Sequence, residues 1–159
     1  EFPAGIFDLV EIVPSKKKYR LLLDSKGRLI AKESDYKAKD FKVSKVIGKR
    51  IVRGGKTMIT TNDGFSIESG KEKVNVDDSV KISLPELKIE AVYAPQKGNT
   101  AYVVAGTHVG KVMKIESIVP GAINKEKAIL LSEEGNSFET VLRNVFVVGK
   151  EKAEIEALK

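Results

Sequence analysis

Few side chains in this 159-residue sequence are arranged for bond-making chemistry. His108 is the only histidine, set between Thr107 and Val109 in a glycine-flanked turn with no nucleophile motif beside it. A Ser-His-Asp arrangement would have to use that one imidazole. Paired carboxylates, the other route to acid–base work, occur as Asp77-Asp78 and Glu133-Glu134. Both pairs stand next to turn residues, where carboxylates ordinarily face water, so a structural role is the preferred reading for each. The absence of cysteine removes disulfides, thiolate zinc sites and cysteine nucleophiles. No G-x-x-x-x-G-K-[ST] or G-x-G-x-x-G run is present, and no helical pattern follows Gly106 and Gly110, so a phosphate cradle is not expected. On these residues the chain is not expected to be an enzyme, and no metal or cofactor is expected.

What remains is charge. The chain holds 28 Lys+Arg against 22 Asp+Glu, a formal net charge of +6. The distribution is uneven: residues 1–60 carry 15 cationic against 7 acidic side chains, and residues 61–159 carry 13 against 15. A local excess of this kind raises the potential of one part of the surface and attracts polyanions. An apolar content of 42% is enough for a core. No apolar run reaches the roughly 18 residues of a membrane span, and no secretory pattern opens the chain, so a soluble intracellular protein is expected. The first residue is Glu1 rather than Met, so a fragment or processed form is expected.

The elements that must carry these charges read almost entirely as strands. Ile6 to Val13 is a near-continuous apolar stretch stopped by Pro14. Tyr19 to Asp24 and Arg28 to Lys32 flank Ser25-Lys26-Gly27, a hairpin; Val43 to Arg53 and Thr57 to Thr61 flank Gly54-Gly55-Lys56, another. Asn62-Asp63-Gly64 turns into Phe65-Ser66-Ile67, and Val80 to Leu84 and Ile89 to Tyr93 follow between turn residues. β-branched residues with turns at short intervals predict an all-β barrel or sandwich. Two segments read as helical: a single turn over Ser34 to Asp40, with Ser34 or Asp35 as N-cap, and the tail Lys150 to Lys159, which equally suits a fraying end. Ala94-Pro95-Gln96-Lys97-Gly98 is the predicted boundary. It divides the chain into a central β domain (1–93), a second module (94–150) and a tail (151–159). Thr100 to Val104 alternates and predicts a strand with one buried face; Lys111 to Ile115 alternates again with Val112 or Met113 inward. Tyr102, Phe138 and Phe146 fall in strand patterns and are expected in the core.

The stretch Lys97 to Ile115, with Gly106 and Gly110 bracketing a tight loop, resembles the KOW motif of ribosomal proteins and transcription elongation factors, which opens a small SH3-like barrel. The motif's glycine corresponds to Gly110, where the backbone needs a conformation closed to residues with a Cβ. Flanking sequence narrows the resemblance. Phe2-Pro3-Ala4-Gly5-Ile6-Phe7-Asp8-Leu9-Val10, Tyr19 to Arg28, Val74 to Ile82, and Gly135-Asn136-Ser137-Phe138-Glu139-Thr140 with Arg143-Asn144-Val145-Phe146-Val147-Val148-Gly149 resemble, in order, the small-subunit ribosomal protein S4e family of archaea and eukaryotes.

The resemblance implies two tandem β modules, the second an SH3-like barrel with a KOW motif, and a structural RNA-binding protein of the small ribosomal subunit in the cytoplasm. Its implied partners are ribosomal RNA and neighbouring ribosomal proteins; no membrane is involved, and a monomer is expected outside the ribosome. Family members usually carry a basic N-terminal segment and a helical RNA-binding domain ahead of this stretch. The acidic cast of the tail, from Glu151, Glu154 and Glu156, departs from the basic extension of eukaryotic members. RNA of this kind is read through shape, backbone and exposed loops, so the implied contacts are cations and hydrogen-bonding groups on loops. They are Lys16, Lys17, Lys18 and Arg20 after Pro14, and Lys49, Arg50, Arg53 and Lys56 in the second hairpin. In the KOW region they are Lys97, Thr107, His108, Lys111 and Lys114, with Asn136, Ser137, Arg143 and Asn144 beyond. Gly106 and Gly110 are structural. A KOW-containing transcription or translation factor that binds polymerase or another protein is the alternative.

Overall fold

The computed structural model describes residues 3–34, 40–70, 72–121, 126–133 and 135–158. Within them the chain forms β1 (Leu9–Ile12), β2 (Lys17–Leu23), β3 (Leu29–Ser34), β4 (Phe41–Ile51), β5 (Thr57–Thr61), β6 (Ser66–Glu68), β7 (Ser79–Ser83), β8 (Ile89–Tyr93), β9 (Thr100–Val103), β10 (Val112–Val119), β11 (Ala128–Glu133), β12 (Asn136–Val141) and β13 (Val145–Gly149). Short 3-10 turns lie at Val13–Ser15, Leu142–Asn144 and Glu156–Leu158. The strands form three antiparallel sheets, β1-β2-β3, β6-β5-β4-β7-β8 and β12-β11-β10-β9-β13, so the all-β reading holds.

Two of the sheets have cores of their own. Val46, Ile59, Ile67, Val74, Val80 and Ile82 fill the second, and Ala101, Val103, Met113, Ile115, Ile129 and Leu131 lie at the centre of the third. The small first sheet cannot bury enough surface alone. Its Phe7 and Leu22 join Phe41 and Val43 of the second sheet, Tyr102, Phe146 and Val148 of the third, and Ala153, Ile155 and Ala157 of the tail in one shared cluster. The Phe7 ring meets Tyr102 at 5.4 Å and Phe146 edge-on at 5.5 Å.

Polar ties reinforce this junction. The Tyr102 hydroxyl accepts from Leu23 N at 3.0 Å and donates to Leu23 O at 3.1 Å. Lys42 Nζ lies 2.6 Å from Asp8 and 2.7 Å from Asp63, joining the first sheet to the second. Lys45 Nζ donates to the carbonyls of Leu142 (2.6 Å) and Val145 (2.9 Å), joining the second to the third. Burial pushes the Lys45 ammonium down to about 8; Asp77 opposes that shift and Lys127 adds to it.

Several local expectations are corrected. The predicted Ile6–Val13 strand is confined to β1, because Phe7 takes a positive φ of 64° and Pro14 sets a 3-10 turn. Strand β2 begins at Lys17, two residues before the predicted start. Thr100 to Val103 are buried on both faces, not one, since β9 lies between β10 and β13 with the shared cluster on one side and the third sheet's core on the other. The tail does not fray: Ile155 is fully buried, Lys32 donates to Ala157 O, and Glu154 meets Lys81 at 3.1 Å. Its helix is only the Glu156–Leu158 turn. Of the predicted helical turn at Ser34 to Asp40, Ser34 ends β3, while Asp35 to Lys39 lie outside the described residues. Glu134 lies outside them as well.

Candidate nucleic-acid interface

Strand β4 is long because it serves two environments. Its first half, Phe41 to Lys45, pairs with β7 and is buried against the shared cluster. At Val46–Gly48 the register slips by a bulge, and from there it pairs with β5 alone. The outer half is exposed: Lys49 stands opposite Ile59, Arg50 opposite Met58 and Ile51 opposite Thr57. Val52 N donates to Lys56 O at 2.9 Å and closes a tip carrying Arg53 and Lys56. Lys56 pairs with Glu68 at 3.0 Å; Lys49, Arg50 and Arg53 make no ion pair with any described residue. Two isoleucines missed by the sequence reading share this hairpin: Ile47 is 58% and Ile51 77% exposed. The result is a projecting β ribbon whose outer half is cationic with apolar side chains between.

The Lys16 to Arg20 group is split by the strand it lies on. Period two in β2 turns Lys18 and Arg20 inward with Leu22. Lys18 is 8% exposed and meets Asp40 at 2.6 Å. Arg20 is 2% exposed; its guanidinium donates to the carbonyls of Phe7 and Phe41 and lies 4.6 Å over the Phe41 ring. Both are therefore corrected from loop cations to interior ties. Lys16 and Lys17 remain exposed, Lys17 held 3.2 Å from Glu33, which raises its pKa.

In the third sheet the Gly106–Gly110 loop is pinned from behind. Gly110 has φ +82°, and a Cβ there would stand 2.9 Å from the backbone oxygens of both Leu23 and Asp24. The bend thus packs on the β2–β3 turn, where Val109 also lies against Gly27. Thr107 at the loop's outer side is exposed, and Gly106, φ +96°, has open space around it. His108 is half-buried and stacks on Phe138 with ring centroids 4.0 Å apart and planes 15° off parallel. Tyr102 and Phe146 are buried as expected, but Phe138 is only partly so.

The remaining candidates are scattered over the third sheet and its loops. Lys97 is exposed. Lys111 pairs with Glu133 at 2.6 Å and Arg143 with Glu126 at 2.8 Å. Lys114 donates to Thr100 Oγ1 at 3.0 Å and to Glu151 O. Ser137 donates to Glu116 at 2.9 Å. Asn136 is exposed, and Asn144 is half-buried with its carbonyl accepting from Val104 N at 2.8 Å. Exposed pairs of this kind contribute about 0–1 kcal/mol, so an incoming phosphate competes for these cations at little cost.

The carboxylates hold turns and sheets together. Asp78 is 4% exposed and accepts from Asn75 N at 2.8 Å; burial pushes its carboxyl up. Asp77 meets Lys127 at 2.8 Å. Burial also pushes Asp63 up, but hydrogen bonds from Lys42, Thr61 and Ser44 outweigh it and hold the carboxyl below its ordinary range. Among the described residues no group of three His, Asp or Glu side chains is placed to hold a metal ion.

Comparison with known proteins bears on this arrangement. Residues 15–89 match the family model described as Ribosomal family S4e. The chain is 34% identical over 151 residues to small ribosomal subunit protein eS4 of Methanosphaera stadtmanae, covering 95% of this chain and 62% of that protein. It is 33% identical to the protein of that name from Methanothermobacter thermautotrophicus, covering 98% of this chain and 64% of the relative. For the Caenorhabditis elegans protein the identity is 35%, over 94% of this chain and 58% of the relative. The chain thus spans less than two thirds of the length of these relatives. The crystal structure of 30S ribosomal protein S4e from Thermoplasma acidophilum superposes with a TM-score of 0.78 at 27% identity, covering 94% of this chain and 74% of that one.

Proposed function

We propose that the chain is a member of the ribosomal S4e family and a structural, RNA-binding constituent of the small ribosomal subunit, acting in translation in the cytoplasm. Its partners are the subunit's ribosomal RNA and neighbouring ribosomal proteins, and it performs no catalytic step. Residues 1–93 and 94–150 act as two β modules clasped by the tail. The observation that carries the reading is the β4–β5 hairpin: Lys49, Arg50 and Arg53 are exposed, free of ion pairs with described residues and mounted on a strand anchored in the core.

The physics is that of a stiff cationic ribbon on a folded polyanion. A-form RNA hides its base edges in a narrow major groove and displays phosphates and 2′-hydroxyls. Three cations on a preformed hairpin meet that surface with little ordering cost beyond their own side chains. Lys16, Lys17 and the barrel-borne Lys97, Lys111 and Arg143 extend the contact. Hydroxyl-radical footprinting of the protein on small-subunit rRNA tests this. Protection is expected, and it is lost in the Lys49→Ala, Arg50→Ala, Arg53→Ala triple variant. Co-sedimentation with RNA polymerase, with rRNA left unprotected, would replace the reading with that of a transcription factor.

A further inference from the structure

The β4–β5 ribbon has two unlike faces, and its register says which side chains share each. Lys49 stands across from Ile59, Ile59 across from Ile67, and Ile51 across from Thr57. Cross-strand partners point to the same side of a sheet, as do residues two apart on one strand. Lys49, Ile51 and Thr57 therefore share one face, whose inner positions, Ile59 and Ile67, are buried in the second sheet's core. Arg50 falls on the other face with Met58 and Glu68, and Glu68 holds Lys56 at 3.0 Å. The paired positions of the first face carry no carboxylate, so that face is the one open to an anion.

Ile51 is 77% exposed, more than any other large apolar side chain among the described residues, and Ile47 at the bulge is 58% exposed. A lone exposed aliphatic residue is ordinary. This one projects from the outer half of a ribbon, with Lys49 two residues before it and Arg53 two residues after it, neither in an ion pair with a described residue. Such a cationic border is complementary to a polyanion; against an apolar protein surface the unpaired charges would be desolvated at high cost. Residues 42–64 contain no aromatic ring, so the ribbon has nothing on which an unstacked base could sit. A branched aliphatic side chain between cations instead fits the wide, shallow minor groove of an A-form duplex, where sugars and 2′-hydroxyls are displayed between rows of phosphates.

We infer that the Lys49–Ile51–Thr57 face lies on the minor groove of an RNA duplex, with Ile51 packed on ribose, the Thr57 hydroxyl meeting a 2′-hydroxyl and Lys49 at a phosphate. The inference rests on the RNA-binding reading above and deepens it: it makes duplex RNA the ligand of this hairpin and adds an apolar contact that salt does not screen.

Salt titrations of binding separate the two contributions. The probes are a short RNA duplex, a DNA duplex of the same sequence and one RNA strand alone. The RNA duplex is expected to bind at least about threefold tighter than either of the others. Ile51→Ala should weaken it roughly fivefold to tenfold at every salt concentration, leaving the slope of log K against log salt unchanged. Ile51→Leu, which keeps the apolar volume, should bind within about twofold of wild type. Thermal unfolding of each variant at the wild-type temperature confirms that the ribbon still forms, as expected for so exposed a side chain. Wild-type affinity in Ile51→Ala, or equal binding of all three nucleic acids, overturns the inference. If that happens while the salt slope is steep and falls in the Lys49→Ala, Arg50→Ala, Arg53→Ala triple variant, the groove contact is wrong and RNA binding stands. A flat salt response with every probe sinks both.

Discussion

Replacing Gly110 by alanine tests how the Gly106–Gly110 loop is held. The substitution has two costs. At φ +82° an L side chain is strained by about 1–2 kcal/mol. The new Cβ would also press on the backbone oxygens of Leu23 and Asp24 at 2.9 Å, where no flexible side chain can yield, and such overpacking costs about 1–3 kcal/mol. Together they give roughly 2–5 kcal/mol, less a few tenths for the stiffer unfolded chain. For a chain of this size that is a fall in Tm of about 5–15 °C. Gly106→Ala is the control: φ is +96° but nothing lies within 4 Å, so only the backbone strain remains, with a fall of about 2–6 °C. Thermal unfolding followed by far-UV circular dichroism suits a chain with no tryptophan. Equal, mild effects of the two substitutions would refute the close approach of the bend at Gly110 to the β2–β3 turn.

Other expectations follow from the buried polar groups. Arg20→Ala should cost about 2–4 kcal/mol in urea unfolding by stranding the Phe7 and Phe41 carbonyls, while leaving the salt dependence of RNA binding unchanged. Lys45, at about 8 in the fold against an ordinary 10.5, binds a proton more readily in the unfolded chain. Its contribution to stability therefore rises as pH climbs from 8 toward 10.5, by at most roughly 3 kcal/mol, and the difference between wild type and Lys45→Met in urea titrations across that window should show it. Asp63, held below 3.8, stabilises the fold above the ordinary carboxylate range and loses that contribution as pH falls through its folded value. Asp63→Asn should cost about 1–3 kcal/mol at pH 7, and its deficit should close in acid unfolding curves.

How much of this was legible depends on which physical signal each segment carries. The Gly54-Gly55 hairpin reads directly because turn chemistry is local, as does the Asn62-Asp63-Gly64 turn. The extent of β4 and its change of partner at Val46 do not, since a bulge is decided by what packs on either side. Lys18 and Arg20 read as loop cations because they follow Pro14 in a basic run. Only the β2 register, fixed by Leu22 pointing into the shared cluster, shows that alternate members of the run face inward. The tail is ambiguous in sequence because its few apolar residues are held by a cluster drawn from all three sheets, which no local pattern reveals. His108 was visible as the lone imidazole, but its stack on Phe138 joins residues 30 apart and needed the fold.

The central claim is that the exposed cations of the β4–β5 hairpin meet RNA phosphates, and the dependence of affinity on salt measures it directly. If about four phosphates are neutralised, log K for small-subunit rRNA should fall by about 3–4 per tenfold rise in salt. Removing Lys49, Arg50 and Arg53 together should make that slope shallower by about 2–3. A flat response in the wild type, or a slope unchanged in the triple variant, would contradict the account.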